Sequence, residues 1–370
     1  MRSRHVVWFG MLILAWPAVG QYQQATPGYH YEFPRDHFNH EGFQTEWWYY
    51  TGNVTAEDGH RFGFELTFFR QGVDRSNAKP DTWAVEDIYL AHLALSDIDG
   101  SRFYHQERTN RAGPGIAGIS ATEKRIWNGN WSASWEDDQQ RLEATQEQLS
   151  FSLFLDPEKP PVIHGENGIS QKAAGSGHAS HYTSLTRLNA RGTITVEGRN
   201  YAISGLAWMD HEFFTEQLAE DQAGWDWISA QLGDGTELML YRMRKKDGAM
   251  DSFSSGTFVD THGRASHLRG TDFSMIPGRD VWKSAETGAV YPIQWSVSVP
   301  KLGLQLEVRT QLKQQELASR SGAAPSYWEG AVEFRGRQAD AAVDGVGYLE
   351  MTGYDRPVAL GNAGRSGVSR

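Results

Sequence analysis

Residues 45–54 read TEWWYYTGNV, four consecutive aromatic rings directly after a glutamate. Along an extended strand, side chains alternate between faces. Glu46, Trp48 and Tyr50 then share one face, and Trp47, Tyr49 and Thr51 share the other. Neither face is polar enough to rest against water. The segment is therefore not an ordinary half-exposed strand, and structure is expected to cover both of its sides.

The same texture continues outward. HRFGFELTFFR (60–70), YLAHLALSD (89–97), LSFSLFLD (149–156), GWDWISAQL (224–232), ELMLYRMR (237–244), WSVSVPKLGLQLEV (295–308) and YWEGAVEF (327–334) are alternating apolar runs of strand length. Turn signals such as EDGH (57–60), DIDG (97–100), VEGRN (196–200) and LGDGT (232–236) separate them, as hairpin connections should. This density of short strands predicts an antiparallel sandwich or barrel. Only RLEATQEQL (141–149) and TEQLAEDQA (215–223) offer short helical patterns.

There is an internal echo. WYYTGNVTAEDGHRFGFELTFFR (48–70) and WISAQLGDGTELMLYRMR (227–244) share an aromatic start, a strand, an Asp-Gly turn, a second strand and a closing Arg. The echo favours two similar β-domains. HGENGISQKAAGSGHASHY (164–182) lies between them and reads as a loop or exposed connection.

The composition narrows the function. The chain has 370 residues, with 14 Trp, 14 Tyr and 17 Phe recurring along it, a supply that suits pleated surfaces and apolar ligand walls. Cysteine is absent, which excludes disulfides, thiol catalysis and Cys-based zinc sites. MRSRH, VVWFGMLILAW and PAVG have the pattern of a secretory signal over residues 1–20. Export to the periplasm or beyond is expected. Removing Arg2 and Arg4 with that segment takes the net charge from -11 to -13. So acidic a product is a poor match for a phosphate backbone, and nucleic acid is not an expected partner.

Several acidic or basic positions sit in aromatic or apolar surroundings. Glu46 opens the aromatic run, and a carboxyl desolvated by rings can donate a proton near neutrality. The alternative is a carboxylate satisfied by an Arg or a backbone N–H. GLAWMDHEFF (205–214) points Trp208, Asp210 and Glu212 one way and Met209, His211 and Phe213 the other. Asp210 with His211 is the preferred acid, and adjacent strand residues make a poor metal site. In GWDWISAQL, either Trp225 and Trp227 line a pocket while Asp226 anchors a loop, or the reverse. Arg242 and Arg244 are placed to pair with a buried acid and keep it ionised. His92 inside an apolar strand reads as a hydrogen-bonded core residue or a ligand contact, and His178 and His181 offer only a weak ligand spacing. There is no G-x-S-x-G elbow, P-loop or dinucleotide fingerprint.

FPRDHFNHEGFQTEWWYYTGNV (33–54), YLAHLALSD, HYTSLTRLNARGTI (181–194), GLAWMDHEF, GWDWISAQL and YWEGAVEF with GVGYLEMTGY (345–354) together resemble the secreted AttH-like proteins. These are related to the carotenoid 1,2-hydratase (hydroxyneurosporene synthase) group. The resemblance spans roughly residues 33–355 and implies an all-β chain of two lipocalin-like antiparallel barrel domains packed side by side. The expected boundaries are 21–205 and 206–361, with a tail at 362–370.

It also implies an apolar, isoprenoid- or lipid-like ligand, a peripheral contact with a membrane, and no cofactor or metal. As an enzyme the protein is expected to be an acid-catalysed hydratase. Asp210, Asp226 or Glu46 would be the acid, His211 would orient water, and Trp208, Trp225 and Trp227 would stabilise a carbocation. Trp47, Trp48, Tyr50, His92 and Arg242 complete the expected ligand contacts. The rival reading is a non-catalytic periplasmic carrier or attachment factor.

Overall fold

The computed structural model describes residues 22–73, 85–113, 115–319 and 325–358. The proposed signal segment and the C-terminal tail lie outside the described residues. Among those described, no helix is long and apolar enough to cross a membrane.

The chain is two β-domains. The first comprises β1 (Thr45–Ala56), β2 (Arg61–Gly72), β3 (Asp87–Asp97), β4 (Arg102–Arg111), β5 (Ala117–Ser120), β6 (Arg125–Asn128), β7 (Trp131–Glu136), β8 (Gln139–Thr145) and β9 (Leu149–Pro157). The short β10 (Val162–Ile163) and β11 (Ser170–Gln171) follow, then the long β12 (Ala179–Val196) and β13 (Arg199–Phe214). Their order, β4-β3-β2-β1-β13-β12-β9-β8-β7-β6-β5, makes a nearly closed barrel of antiparallel neighbours.

The second domain begins with β14 (Gln222–Leu232), β15 (Glu237–Lys245), β16 (Ser255–Val259), β17 (Ala265–Arg269) and β18 (Ser274–Pro277). A separate hairpin, β19 (Val281–Lys283) and β20 (Val290–Pro292), precedes β21 (Gln294–Val299), β22 (Leu304–Arg309), β23 (Glu316–Leu317), β24 (Tyr327–Gln338) and β25 (Ala341–Thr352). The main path, β17-β16-β15-β14-β25-β24-β22-β21-β18, is a half-barrel. The architecture is that of two lipocalin-like antiparallel β-barrel domains packed side by side.

Three expectations need correction. The boundary at 205/206 falls inside β13, which pairs with β1 and β12 along its length; the chain changes sheets between Phe214 and Gln222. Residues 164–182 are not an exposed connection: His164, Ser170 and Lys172 are buried, and β11 and the start of β12 lie within the stretch. Neither helical pattern forms a helix. Residues 141–145 belong to β8, where Leu142 and Ala144 point into the core, and residues 215–221 link the domains without regular structure.

The alternation read from TEWWYY sets the packing. Trp48, Tyr50 and Val54 enter the first barrel's core with Phe62, Phe64 and Leu66. That core is filled with side chains, as small barrels are. Tyr49 turns outward into a third cluster with Tyr182, Trp208, Trp227, Met239 and Tyr348, which joins the two domains. Gly63 permits the close approach of the sheets. A Cβ there would stand 2.6 Å from the Ala331 Cβ and 2.7 Å from the Tyr348 hydroxyl oxygen.

Candidate functional site

The outward faces of β1, β2, β3, β12 and β13 meet β14, β15, β24 and β25 along a buried seam. Period-two alternation brings Tyr49, Glu65, His92, Tyr182 and Asp210 onto the first face, and Trp225, Trp227, Tyr327, Glu329 and Glu350 onto the second. The chemistry of the molecule is concentrated here.

Asp210 sits among aromatic side chains. Its Oδ1 accepts from Trp208 Nε1 at 2.6 Å and from the Ser184 hydroxyl, and its Oδ2 accepts from Tyr182 at 2.6 Å. Trp227 of the second domain donates to the Tyr182 oxygen at 3.0 Å. The Trp227 ring stands edge-on to Tyr49 at 5.4 Å and to Trp208 at 6.2 Å. Every donor to Asp210 among the described residues is neutral. Burial therefore dominates and pushes the carboxyl up to about 7, against the pull of the Ser184, Tyr182 and Trp208 bonds. With two donors on Oδ1 and one on Oδ2, an acidic proton belongs on Oδ2.

Three more acids share the seam. Burial raises Glu65 to about 7 and Glu350 to about 8, and raises Glu329 well above the carboxylate range, with the charge of Glu65 adding to the effect on Glu329. Tyr49 donates to Glu329 at 2.5 Å, Tyr327 to Glu65 at 2.9 Å, and Trp225 Nε1 to Glu350 at 2.9 Å. Glu212, on the same face, is ion-paired with Lys172 at 3.3 Å. At the far end of the seam a cleft of about 270 Å³ opens beside Asn53, Arg61, Ile98, Leu206 and Glu333. Asp210 does not line it.

The other expected acids are ion-paired. Glu46 faces into the first barrel, where its carboxylate meets the His40 ring at 2.7 Å, the His211 ring at 2.8 Å and Arg70 at 3.2 Å. Burial alone would raise it; the His40 charge and the two histidine bonds outweigh that and hold it well below the usual range. It is an anchor and not a proton donor. His211 shares this inner face and donates to the Asp36 carbonyl or to Glu46, so it neither touches Asp210 nor orients water for it. His40, Glu46 and His211 bring ligand atoms within 4.8 Å of one another, yet Arg70 already supplies a cation to the same carboxylate.

Asp226 is likewise excluded as the acid. Arg242 and Arg244 bind it at 3.0 and 2.6 Å, and Tyr354 donates to it at 2.9 Å. Arg242 is thereby spent on Asp226 and is not a ligand contact at the seam. Of the two readings of GWDWISAQL, the indoles face the seam and the acid anchors.

Trp48 and Tyr50 are also corrected. They belong to the filled core, donating to the His37 carbonyl at 2.9 Å and to Gln140 at 2.7 Å. Trp47 packs at the edge of the seam cluster against Phe69 and Phe214. His92 reaches the seam, with its Nδ1 2.6 Å from the Tyr327 hydroxyl. His181 lies elsewhere, 3.0 Å from the Gly168 carbonyl.

Sequence reasoning missed Tyr49, Glu65, Tyr182, Glu329 and Glu350 as site residues. It missed His164 too, which links the Ser184 hydroxyl at 2.6 Å to Thr257 of the second domain at 2.8 Å. Alternation places the five strand residues on outward faces, and His164 lies just past β10, but the partner domain that covers them is distant in sequence.

Comparison with known proteins agrees with the fold. The AttH-like family profile matches residues 24–354. The structure solved as AttH from Nitrosomonas europaea superposes with a TM-score of 0.80 at 34% identity, covering 90% of this chain and 99% of that one. Kievitone hydratase from Nectria haematococca gives a TM-score of 0.69 at 14% identity, over 91% of this chain and 97% of its own. In sequence, the dehydratase asqC of Emericella nidulans is 21% identical over 275 residues, 72% of this chain and 77% of that protein. With the profile running through both barrels, the chain belongs to the AttH-like family.

Proposed function

We propose that the protein is a cofactor-independent lyase of the hydratase or dehydratase type, with Asp210 as the proton donor and the interdomain seam as its active site. One observation carries the reading. Asp210 is a buried carboxyl inside an aromatic box, held among the described residues by neutral donors and raised to about 7. A carboxyl kept protonated near neutrality is what alkene protonation requires. The dehydratase relative and the fold shared with a hydratase support the same class.

In the hydration direction the Asp210 Oδ2 proton passes to one alkene carbon and leaves a tertiary cation at the other. The faces of Trp208, Trp227 and Tyr49 stabilise that charge. Water attacks the cation, and loss of a proton gives the alcohol; dehydration runs the same steps backwards. Tyr182 positions the carboxyl and Trp227 positions Tyr182. The substrate is an apolar, isoprenoid-like alkene entering along the seam from the cleft at Asn53. Export and a peripheral membrane contact belong to this proposal; export rests on the N-terminal sequence, and the membrane contact on the apolar character of the substrate. The carrier reading has less support, because side chains fill the first barrel where a lipocalin would hold its ligand.

The test is native mass spectrometry and lipid extraction on the mature protein, followed by turnover of the recovered compound. A product differing by one water, absent with Asp210→Asn, supports the reading. Retention of the compound by the wild type without conversion refutes it and leaves a carrier.

A further inference from the structure

Nine buried side-chain atoms lack a hydrogen-bond partner among the described residues, and four of them lie on the seam: Thr51 Oγ1, Glu65 Oε2, His92 Nε2 and Glu329 Oε2. Native proteins leave few such atoms, so this concentration calls for a reason. Thr51 stands directly opposite Glu65 across β1 and β2, and His92 stands opposite Thr67 across β2 and β3. All three therefore share the outward face that β24 covers with Glu329.

The bonding is one-sided in the same way on both glutamates. Glu65 Oε1 accepts from Thr67 at 2.8 Å and from Tyr327 at 2.9 Å, and its Oε2 accepts nothing. Glu329 Oε1 accepts from Tyr49 at 2.5 Å, and its Oε2 is equally bare. Each carboxyl is held at one oxygen by a tyrosine of the opposite domain and presents the other oxygen unbound. His92 fits the pattern. Its Nδ1–H donates to Tyr327, whose own proton goes to Glu65, and that leaves a bare acceptor at Nε2.

We infer that Glu65 and Glu329 are a second catalytic pair, sharing one proton between them and taking the oxygen of the water that is added or of the hydroxyl that leaves. The inference rests on the lyase reading of the seam. Tyr327, bonded to Glu65, lies two residues from Glu329 on the same face of β24, and the charge of Glu65 opposes ionisation of Glu329, so the two do not ionise together and such a pair acts as donor and acceptor at once. In hydration Asp210 gives its proton to the alkene carbon, and the water oxygen forms the C–O bond. The proton lost by that oxygen goes to the ionised member of the pair. One proton leaves Asp210 and one arrives at the pair, so exchange with solvent along the seam restores both.

The spacing suits the division of labour. Asp210 lies on β13 and Glu65 on β2, with β1 between them, so their backbones are on the order of 10–12 Å apart at ordinary strand spacing. Tyr49 of β1 stands between, opposite Asp210 on one side and Thr67 on the other. An alkene lying over Tyr49 has the acid at one end and the water-handling pair at the other. Glu350, Tyr348 and Tyr327 face the pair from the second domain, and Tyr49, Thr67 and His92 from the first; no cationic side chain is bonded to either carboxyl among the described residues.

The full mature chain is incubated with farnesol in deuterated, ¹⁸O-labelled water, and both labels are followed in the recovered lipid. Deuterium reports protonation at the alkene, and ¹⁸O reports capture of water. In Glu65→Gln and Glu329→Gln, deuterium uptake stays within threefold of wild type while ¹⁸O uptake falls by about 10²-fold or more, the scale of lost general-base catalysis. Asp210→Asn loses both labels. Glu65→Asp, which keeps the carboxyl, recovers part of the ¹⁸O signal and covers the case of a glutamine variant that does not fold.

Wild-type ¹⁸O uptake in either glutamine variant, or parallel loss of both labels, overturns the inference while leaving the lyase reading intact. Absence of both labels in the wild type overturns the lyase reading and the pair's role with it. The shared proton is checked without substrate by the infrared carboxyl stretch at pH 7. A protonated-carboxyl band altered by each glutamine variant supports the pair, and a band indifferent to both refutes it.

Discussion

The Tyr49 hydroxyl of the first barrel donates to Glu329 of the second at 2.5 Å, across 280 residues of sequence. The reciprocal bond runs from Tyr327 to Glu65. These crossed contacts fasten two filled barrels through polar groups that neither could bury alone. An unpaired buried acceptor costs about 1–3 kcal/mol. Tyr49→Phe is therefore expected to destabilise the protein by about that amount, measured by urea unfolding. It also removes the one hydrogen-bond donor that reaches the Glu329 carboxyl among the described residues. A neutral result would mean that the bond is replaced by solvent and that the seam is wetter than its packing indicates.

Asp226 makes the opposite case to Asp210. Two arginines and Tyr354 surround it, and its side chain is inaccessible to solvent. Asp226→Asn leaves Arg242 and Arg244 without their anion, and breaking a buried pair in this way costs about 3–5 kcal/mol. The loss should appear in unfolding experiments. Any remaining folded protein should keep the Asp210 infrared signature of the wild type, because Asp226 faces the half-barrel interior rather than the seam. A change in that signature would join the two acids in one network and contradict the division drawn between them.

The contrast between these acids shows where sequence reading reaches its end. Both lie in W-x-D or W-D-W surroundings on aromatic strands, so composition and alternation treat them alike. What separates them is register. Asp226 stands opposite Arg242 in β15, whereas Asp210 stands between Tyr49 and Ser184. The internal echo stops short of this information: Arg70 stands opposite Glu46 and Arg242 opposite Asp226, but both acids precede the echoed stretches and the second stretch closes on Arg244. The β-class, the hairpins and the two faces of TEWWYY follow from period-two patterning alone. Glu65 and Glu329 could not be found that way. Inside FELTFFR and YWEGAVEF they look like ordinary polar positions on alternating strands, and only docking of the second domain buries them.

Tyr182 tests the donor assignment directly. Its hydroxyl stabilises the ionised form of Asp210, so Tyr182→Phe removes a bond that lowers the acid. The carboxyl should then titrate higher, and the alkaline limb of the pH–rate profile for hydration should move to higher pH. The rate should also fall by about tenfold, a part of the roughly 10²–10⁴-fold that a positioned general acid supplies. An alkaline limb that stays fixed in this variant would assign the titration to another group and remove Asp210 from the donor role.

The seam acids and Glu46 should act oppositely on stability, which makes the pH profile of unfolding informative. Asp210, Glu65 and Glu350 are raised in the folded state to about 7, 7 and 8. The folded chain therefore holds protons that the unfolded chain releases near pH 4, and the stability from this source is present below that pH and lost as pH rises through 7 to 8. Asp210 alone accounts for a loss on the order of 2 kcal/mol between about pH 5 and 8. Glu46 is depressed by His40 and His211, so its contribution is present above its ordinary range and is lost as pH falls. The maximum should lie on the acid side of neutrality, between about pH 4.5 and 6. Urea unfolding at constant ionic strength from pH 4 to 9 measures it, and Asp210→Asn should flatten the decline above pH 6. Stability that rises from pH 6 to 8 in the wild type would mean that the seam carboxyls are ionised at neutrality, and the proton donor would have to be sought elsewhere.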